Sequence, residues 1–323
     1  MRAIVVQEHG GPEVLRVTET ESPTPGAGEA LVDVAASGIN FIDVYHRAGI
    51  YPTTPPFVLG TEGAGTVAAV GSGVTEVRPG DRVAWANIPG SHAARAVVPA
   101  ERLVPVPDSV ELETAAAALL QGMTAHYLVT DTYAVKAGDT ALVHAAAGGM
   151  GLLLTQLVTR FGGRVIGTVS TPEKEKLARE AGAAEVIRYT EVSDVAAEVR
   201  RLTDGEGVPV VYDGVGRDTF DASLASLRLR GTLVLFGAAS GPVPPVDPQR
   251  LNAQGSVYLT RPTSRDFTVT AEEVRWRTGE LFDAVLTGKL NVRVGAKYPL
   301  AEARKAHEDL QGRKTTGKLL LIP

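Results

Sequence analysis

Short runs of alternating apolar and polar positions fill the first third of the chain. Ala3–Val6, Ala30–Ala35, Gly65–Val70 and Arg82–Trp85 read as strands separated by glycine and proline punctuation. Pro79-Gly80-Asp81 is a turn signal just ahead of the last of them. The texture changes at Glu111. Glu111–Leu120 is dense in alanine and leucine, the best helix formers, with Asp108 or Ser109 available as its cap. Gln121-Gly122 breaks this pattern, and Met123–Thr132 reads as helical again.

Strict strand–helix alternation follows. Thr140–His144, Arg164–Val169, Glu185–Ile187, Val208–Asp213, Gly231–Gly237 and Ser256–Leu259 read as strands. Between them lie helices over Gly151–Phe161, Pro172–Ala181, Ser193–Leu202 (with Ser193 as cap) and Thr219–Leu227. Such alternation implies a parallel, doubly wound sheet. Ser240–Gln249 has four prolines among ten residues and reads as a loop. From about Thr263 the pattern ends, leaving a helix over Ala271–Thr287, a short strand at Val292 and a terminal strand over Lys318–Ile322. These return most simply to the first unit. The expected organisation is α/β: a β-rich domain from residues 1–122 and 264–323, with a nucleotide-binding domain, 123–263, inserted into it.

The segment Val143-His144-Ala145-Ala146-Ala147-Gly148-Gly149-Met150-Gly151 follows a predicted strand and opens a predicted helix, the context of a dinucleotide-binding loop. Ala146, Gly148 and Gly151 occupy the three small-residue places: the tight turn, the approach of backbone to pyrophosphate, and close helix–strand packing. The N–H groups of Gly149, Met150 and Gly151 would face the pyrophosphate. Glycine-rich loops also arise from turn geometry alone; the surrounding βα units favour the dinucleotide reading. The second strand ends Gly167-Thr168-Val169-Ser170-Thr171, with no carboxylate to take a ribose hydroxyl. Ser170, Thr171, Lys174 and Tyr189 offer donors to a 2′-phosphate instead, which points to NADPH. Lys174 has a plainer reading as a solvated helix lysine.

Composition narrows the picture. The chain has 323 residues, 44% hydrophobic and 21% charged, with a net charge of −5. That suits two globular domains and gives nucleic acid no basic surface. There is no apolar run of membrane-spanning length and no signal-peptide pattern, so a soluble cytoplasmic protein is expected. With no cysteine, thiolate metal sites are excluded, and no two of the six histidines have the i, i+4 spacing of a helical metal site.

Over nearly its whole length the chain resembles the quinone oxidoreductase branch of the medium-chain dehydrogenases/reductases, the zeta-crystallin-like enzymes. The resemblance rests on Ala36-Ser37-Gly38-Ile39-Asn40-Phe41-Ile42-Asp43, Gly60-Thr61-Glu62-Gly63-Ala64-Gly65, Gly80-Asp81-Arg82-Val83, the Ala145–Gly151 loop, Val211–Asp218, Thr260-Arg261-Pro262 and Gly317–Pro323. It implies a GroES-like catalytic domain built from both chain ends around a Rossmann domain. Zinc-dependent relatives carry Cys where Ser37 stands and His where Thr61 stands; only Glu62 remains of that set, so no metal is expected. Glu62 is then a relic satisfied by a nearby base.

The resemblance further implies that Asn40 and Tyr45 lie beside the nicotinamide, with Tyr51 at the mouth of the cleft and Thr124 beneath the cofactor. Phe236, Gly237, Ser240, Arg261, Thr263 and Lys314 would line the cofactor site. Plainer readings stand beside these: Asn40 as a turn residue, Tyr45 and Tyr51 as core aromatics, Thr124 bonding its own backbone, Asp43 as a cap or paired carboxylate. The expected activity is hydride transfer from NADPH to a quinone. The alternatives are reduction of an enone double bond, with Tyr51 as proton donor, and a non-catalytic NADPH-binding structural protein. Relatives of this kind are commonly homodimers.

Overall fold

The computed structural model describes all 323 residues. They form two compact units, Met1–Met123 with Thr268–Pro323, and Thr124–Phe267.

The first unit is built on a seven-stranded sheet. Its order is Val294–Pro299, Lys318–Ile322, Glu29–Ile39, Glu62–Val70, Arg82–Ala86 and Val104–Pro105, with Arg95–Pro99 also pairing to Glu29–Ile39. A small sheet of Val17–Glu19, Arg2–Val6 and Phe57–Val58 accompanies it. The C-terminal strand runs antiparallel to Glu29–Ile39, pairing Leu319 with Ile39, Leu320 with Gly38 and Leu321 with Ser37. The last residues of the chain therefore lie against the Ser37–Asn40 segment. The core on one face is lined with small side chains, among them Ala36, Ala64, Ala84 and Ala116, together with Leu119 and Leu320.

Three expectations are corrected here. The Gln121-Gly122 break does not exist: one helix runs from Leu112 to Tyr127 and widens into a π-helical turn over Leu128–Thr132. Gly122 is used for packing, since a Cβ there would lie 2.6 Å from the Leu281 methyls. Asp108 and Ser109 do not cap this helix; they lie in the turn closed by Val110 N–H on the Pro107 carbonyl (2.9 Å). Val292 is outside any strand, the strand being Val294–Pro299, and the helix Ala303–Gln311 was not anticipated because most of its residues are polar. Only Ala303, Ala306 and His307 of that helix are buried.

The second unit is a six-stranded parallel sheet ordered Glu185–Arg188, Arg164–Val169, Thr140–Val143, Val208–Asp213, Leu227–Leu235 and Tyr258–Thr260. In chain order this is 3-2-1-4-5-6, the doubly wound dinucleotide arrangement. Every pairing is parallel, so the carboxyl ends of all six strands share one edge. The fifth strand starts at Leu227 and not at Gly231. Asp194 caps the helix Val195–Arg201 by accepting from Ala197 N–H at 3.0 Å, in place of the expected Ser193.

The helix after the first strand, Gly149–Arg160, packs tightly on that strand's exit. A Cβ at Gly151 would meet the Ala145 carbonyl at 2.3 Å and the Ala146 Cα at 2.6 Å, both backbone atoms that cannot swing away. Gly151→Ala should therefore cost about 1–3 kcal/mol, the usual range for overpacking. An unchanged urea midpoint would contradict this account of the packing.

Candidate active site

The unit made from both chain ends contains a buried polar cluster. Asn40 follows the strand Glu29–Ile39 and caps the start of the helix Phe41–Arg47. Its backbone N–H donates to Asp43 Oδ2 at 2.7 Å, so Asp43 serves as a reciprocal cap at the third helical position. Thr61 Oγ1 donates to the other oxygen of Asp43 at 3.2 Å. Glu62 is fully buried and meets Lys318 Nζ at 2.5 Å, and Lys318 itself is 2% exposed. The same ammonium donates to Asn40 Oδ1 at 2.6 Å, and Asn40 Nδ2 donates to Glu62 Oε2 at 2.9 Å. The other oxygen of Glu62 accepts from Leu120 N–H at 2.6 Å, and Gln121 Nε2 donates to Asn40 Oδ1 at 3.2 Å. Gly38 makes room for this pair: a Cβ there would lie 2.4 Å from Glu62 Oε2 and 2.8 Å from Lys318 Cε.

Next to these lies a histidine-centred set. Ser37 Oγ is 2.8 Å from His92 Nδ1 and 2.8 Å from Ser91 Oγ, and it donates to the Glu62 carbonyl at 2.9 Å. His92 Nε2 has no hydrogen-bond partner and sits 3.9 Å from Asp43 Oδ2. Burial pushes the Asp43 carboxyl up to about 7, against the pull of the Asn40 N–H and of Lys318. Burial first, and then the Lys318 charge, push His92 down to about 3. The imidazole is therefore neutral at physiological pH. Tyr45 is buried on the same helix as Asp43 and lies 5.1 Å from Tyr51, ring centre to ring centre, with Tyr51 also 6.0 Å from His46. Asn40, Tyr45 and Tyr51 thus belong to one helix and the loop that follows it. Lys314 is exposed on the loop ahead of the last strand.

In the second unit most of the expected cofactor residues sit on the loops and first helical turns at the carboxyl edge of the sheet. Gly148 precedes the helix opened by Gly149, Met150 and Gly151, and a Cβ on Gly148 would find only the Ala145 carbonyl, at 3.2 Å. Internal packing thus makes little demand for glycine at 148, whereas it excludes any side chain at 151. Ala145 carries φ of +51°, a strained conformation typical of functional turns. Ser170 and Thr171 follow the second strand, and Thr171 Oγ1 caps the next helix by accepting from Lys174 N–H at 3.3 Å. Tyr189 follows the third strand and is exposed.

Phe236, Gly237 and Ser240 follow the fifth strand, where Ser240 Oγ donates to the Val215 carbonyl (2.8 Å) and accepts from Asp218 N–H (3.0 Å). Arg261 and Thr263 follow the sixth strand and are exposed. Thr124 begins this unit, on the Leu112–Tyr127 helix. Beneath the loops, Asp213 accepts from Val215 N–H, Gly216 N–H, Thr219 and Ser223, and His144 bridges Ser223 and Thr168 at 3.0 Å each.

Sequence reasoning did not single out Lys318, Gln121, His92 or Asp213. Lys318 opens an ordinary-looking apolar strand, and only the pairing of that strand with Ser37–Ile39 brings it to Glu62.

A Rossmann sheet in one chain with a β-rich domain of this topology is the architecture of the medium-chain dehydrogenases/reductases. Two family models match the chain: the alcohol dehydrogenase GroES-like domain over residues 26–108 and the zinc-binding dehydrogenase model over 149–277. The quinone oxidoreductase of Pseudomonas aeruginosa is 46% identical over 98% of this chain and 97% of its own. The 2-haloacrylate reductase of a Burkholderia species is 41% identical over 99% of this chain and 98% of its own. A mycobacterial protein solved in complex with NADPH is 57% identical, with a TM-score of 0.97 over 100% of both chains. The chain belongs to the quinone oxidoreductase family of the medium-chain dehydrogenase/reductase superfamily.

The buried cluster does not fit the zinc that one family description names. Catalytic zinc takes three protein ligands, usually His, Cys or carboxylate. Here the Ser37 and Thr61 hydroxyls are hydrogen-bonded within the protein, and the Glu62 carboxylate is held by an ammonium.

The two shifted groups oppose each other in the pH dependence of stability. Asp43 has a folded value of about 7 against an ordinary 3.8, so its contribution is full below 3.8 and is lost as pH rises through about 7. His92 falls from 6.5 to about 3, so its contribution is full above 6.5 and is lost as pH falls toward 3. Asp43→Asn removes the first and leaves the second. Its unfolding free energy should therefore climb more steeply with pH between about 4 and 7 than that of the unaltered protein. Parallel stability–pH curves from urea unfolding would rule this out.

Proposed function

We propose that this chain is a zinc-independent, NADPH-dependent quinone reductase. Lys318 on Glu62 is the observation that carries the reading. The carboxylate of the family's metal position is neutralised by a protein cation that is itself hydrogen-bonded to Asn40, so nothing in the cluster can polarise an alcohol as a Lewis acid would. A quinone needs less help, because the charge it gains on reduction is delocalised into a ring. Donors such as the Asn40 amide suffice for that charge.

NADPH, when bound, supplies the hydride. The residues of this chain that hold it are Gly148–Gly151 at the pyrophosphate, and Ser170, Thr171, Lys174 and Tyr189 at the 2′-phosphate. Phe236, Gly237, Ser240, Arg261, Thr263 and Lys314 complete its binding, with Thr124 and Asn40 at the nicotinamide. Tyr45 and Tyr51 offer aromatic faces to a flat, neutral acceptor. The relation to a 2-haloacrylate reductase supports a second reading, reduction of an activated double bond, in which Tyr51 would deliver the proton.

One experiment separates these readings: NADPH oxidation with a para-quinone, an enone and a simple alcohol, with and without a chelator. The quinone should be reduced, the alcohol should be inert and chelation should change nothing. NADPH should be preferred over NADH by a factor of at least ~10, about 1.4 kcal/mol. Tyr51→Phe should leave quinone reduction nearly intact. A loss of ~10²–10⁴ on an enone, with quinones turned over poorly, would favour the second reading.

The reading includes a cytoplasmic homodimer; no helix is long and apolar enough to cross a membrane. Tyr258–Thr260 is the outermost strand of its sheet, with Tyr258 61% exposed and Leu229 on the adjacent strand 72% exposed. Two-fold pairing of this edge would satisfy its free backbone groups and cover both side chains. Sedimentation at micromolar concentration should give a dimer that Leu229→Arg weakens. A monomer under those conditions excludes this assembly.

A further inference from the structure

We infer that Lys318 and Glu62 act together as positioning residues that fix the Asn40 amide in one orientation and present it as a hydrogen-bond donor. The inference rests on the reading that Asn40 touches the bound acceptor. A carboxamide has an acceptor end and a donor end of nearly equal size, and its neighbours decide which way it points. Around Asn40 those neighbours are unambiguous. An ammonium, which can only donate, lies 2.6 Å from Oδ1, and a carboxylate, which can only accept when ionised, lies 2.9 Å from Nδ2. Turning the amide over would set oxygen against carboxylate and NH₂ against ammonium.

The pair leaves Asn40 one free capability. Oδ1 accepts from both Lys318 and Gln121 and is filled. One Nδ2 proton is committed to Glu62, and the second has only the Gly38 carbonyl at 3.5 Å, the limit of a hydrogen bond. That second N–H is what Asn40 can offer to an acceptor oxygen as it gains charge. Glu62 is oriented in its turn by the Leu120 N–H on Oε1, which aims Oε2 at Asn40 and Lys318.

This predicts an unusual effect of removing both charges. In Glu62→Gln/Lys318→Met neither charge of the pair is left without the other and side-chain volume is nearly kept, so the fold should persist. The Leu120 N–H will hold the oxygen of the new glutamine, which turns its NH₂ toward Asn40. Asn40 then answers with its oxygen and reverses, and Gln121, whose Oε1 has no other partner, turns over with it to accept from the Asn40 NH₂.

The test measures NADPH-dependent reduction of 1,4-benzoquinone by Asn40→Ala, by Glu62→Gln/Lys318→Met and by the triple variant, with NADPH affinity by fluorescence and the thermal midpoint. Asn40→Ala should lose about 10²-fold in kcat, the scale of a lost oxyanion donor. The double variant should lose a similar factor, with NADPH affinity within about threefold and a midpoint near that of the unaltered protein. The triple variant should lose no more, because the charge pair acts through Asn40. A double variant with undiminished kcat, or a triple variant whose losses multiply, would overturn the inference. If the double variant does not fold, Glu62→Gln/Lys318→Gln, which also strands no charge and whose second glutamine can turn to accept from the reversed Asn40, takes its place: it should likewise lose about 10²-fold in kcat, and an undiminished kcat would refute the proposal. If the unaltered protein reduces an enone and no quinone, the quinone reading falls. The same variants then test the inference on the enone.

Discussion

A carboxylate and an ammonium meet in the interior of the first unit, and the local architecture follows from the need to satisfy both. A buried ion pair gains stability only when its remaining lone pairs and protons are also hydrogen-bonded. Glu62 therefore takes a backbone N–H from the helix Leu112–Tyr127 and a side-chain N–H from Asn40. Lys318 reaches this position because the last strand of the chain pairs with Ser37–Ile39. Gly38 lacks a side chain where the pair needs its space. Strand, loop, helix and chain terminus converge on one pair of opposite charges, and Asn40 lies between them.

The second unit solves a similar problem with hydrogen bonds in place of a salt bridge. Its loops emerge from parallel strands and cannot brace one another through a sheet ladder. Asp213 supplies the brace: it gathers the backbone of the following loop and two hydroxyls of the next helix. Burial keeps His144 below its ordinary range, so the neutral ring can donate with one nitrogen and accept with the other between Thr168 and Ser223. Three central strands are thereby tied just under the loops that carry the proposed dinucleotide residues.

Local features were legible in the sequence where the physics is local. The βα alternation and the small residues at 146, 148 and 151 act within a few residues and led directly to the sheet and its loop edge, and the missing acid after the second strand pointed to NADPH. Errors fell where tertiary context decides. Gln121-Gly122 has the form of a helix break, yet the helix continues because Leu281 fills the space over Gly122. The helix Ala303–Gln311 was hidden because only a narrow stripe of it is buried. Lys318 was invisible as a site residue because its meaning depends on partners far away in sequence, Asn40 and Glu62. The need for a base near Glu62 could be reasoned from charge alone; which residue met that need required the fold.

Replacing a metal by a lysine changes what the site can do to a substrate. A zinc ion can hold a substrate oxygen directly and lower its pKa. The Lys318 ammonium is spent on Glu62 and Asn40, and in the proposed reading its influence reaches an acceptor through one amide N–H. Such a donor stabilises charge that is already forming, but it cannot generate an alkoxide from an alcohol. A site of this kind favours acceptors that spread incoming charge over their own π-system. Quinones do so most fully and activated alkenes do so in part, so the line between the two readings of this family is one of degree. It falls on whether a proton must be delivered to carbon, and hence on Tyr51 and not on the charge pair.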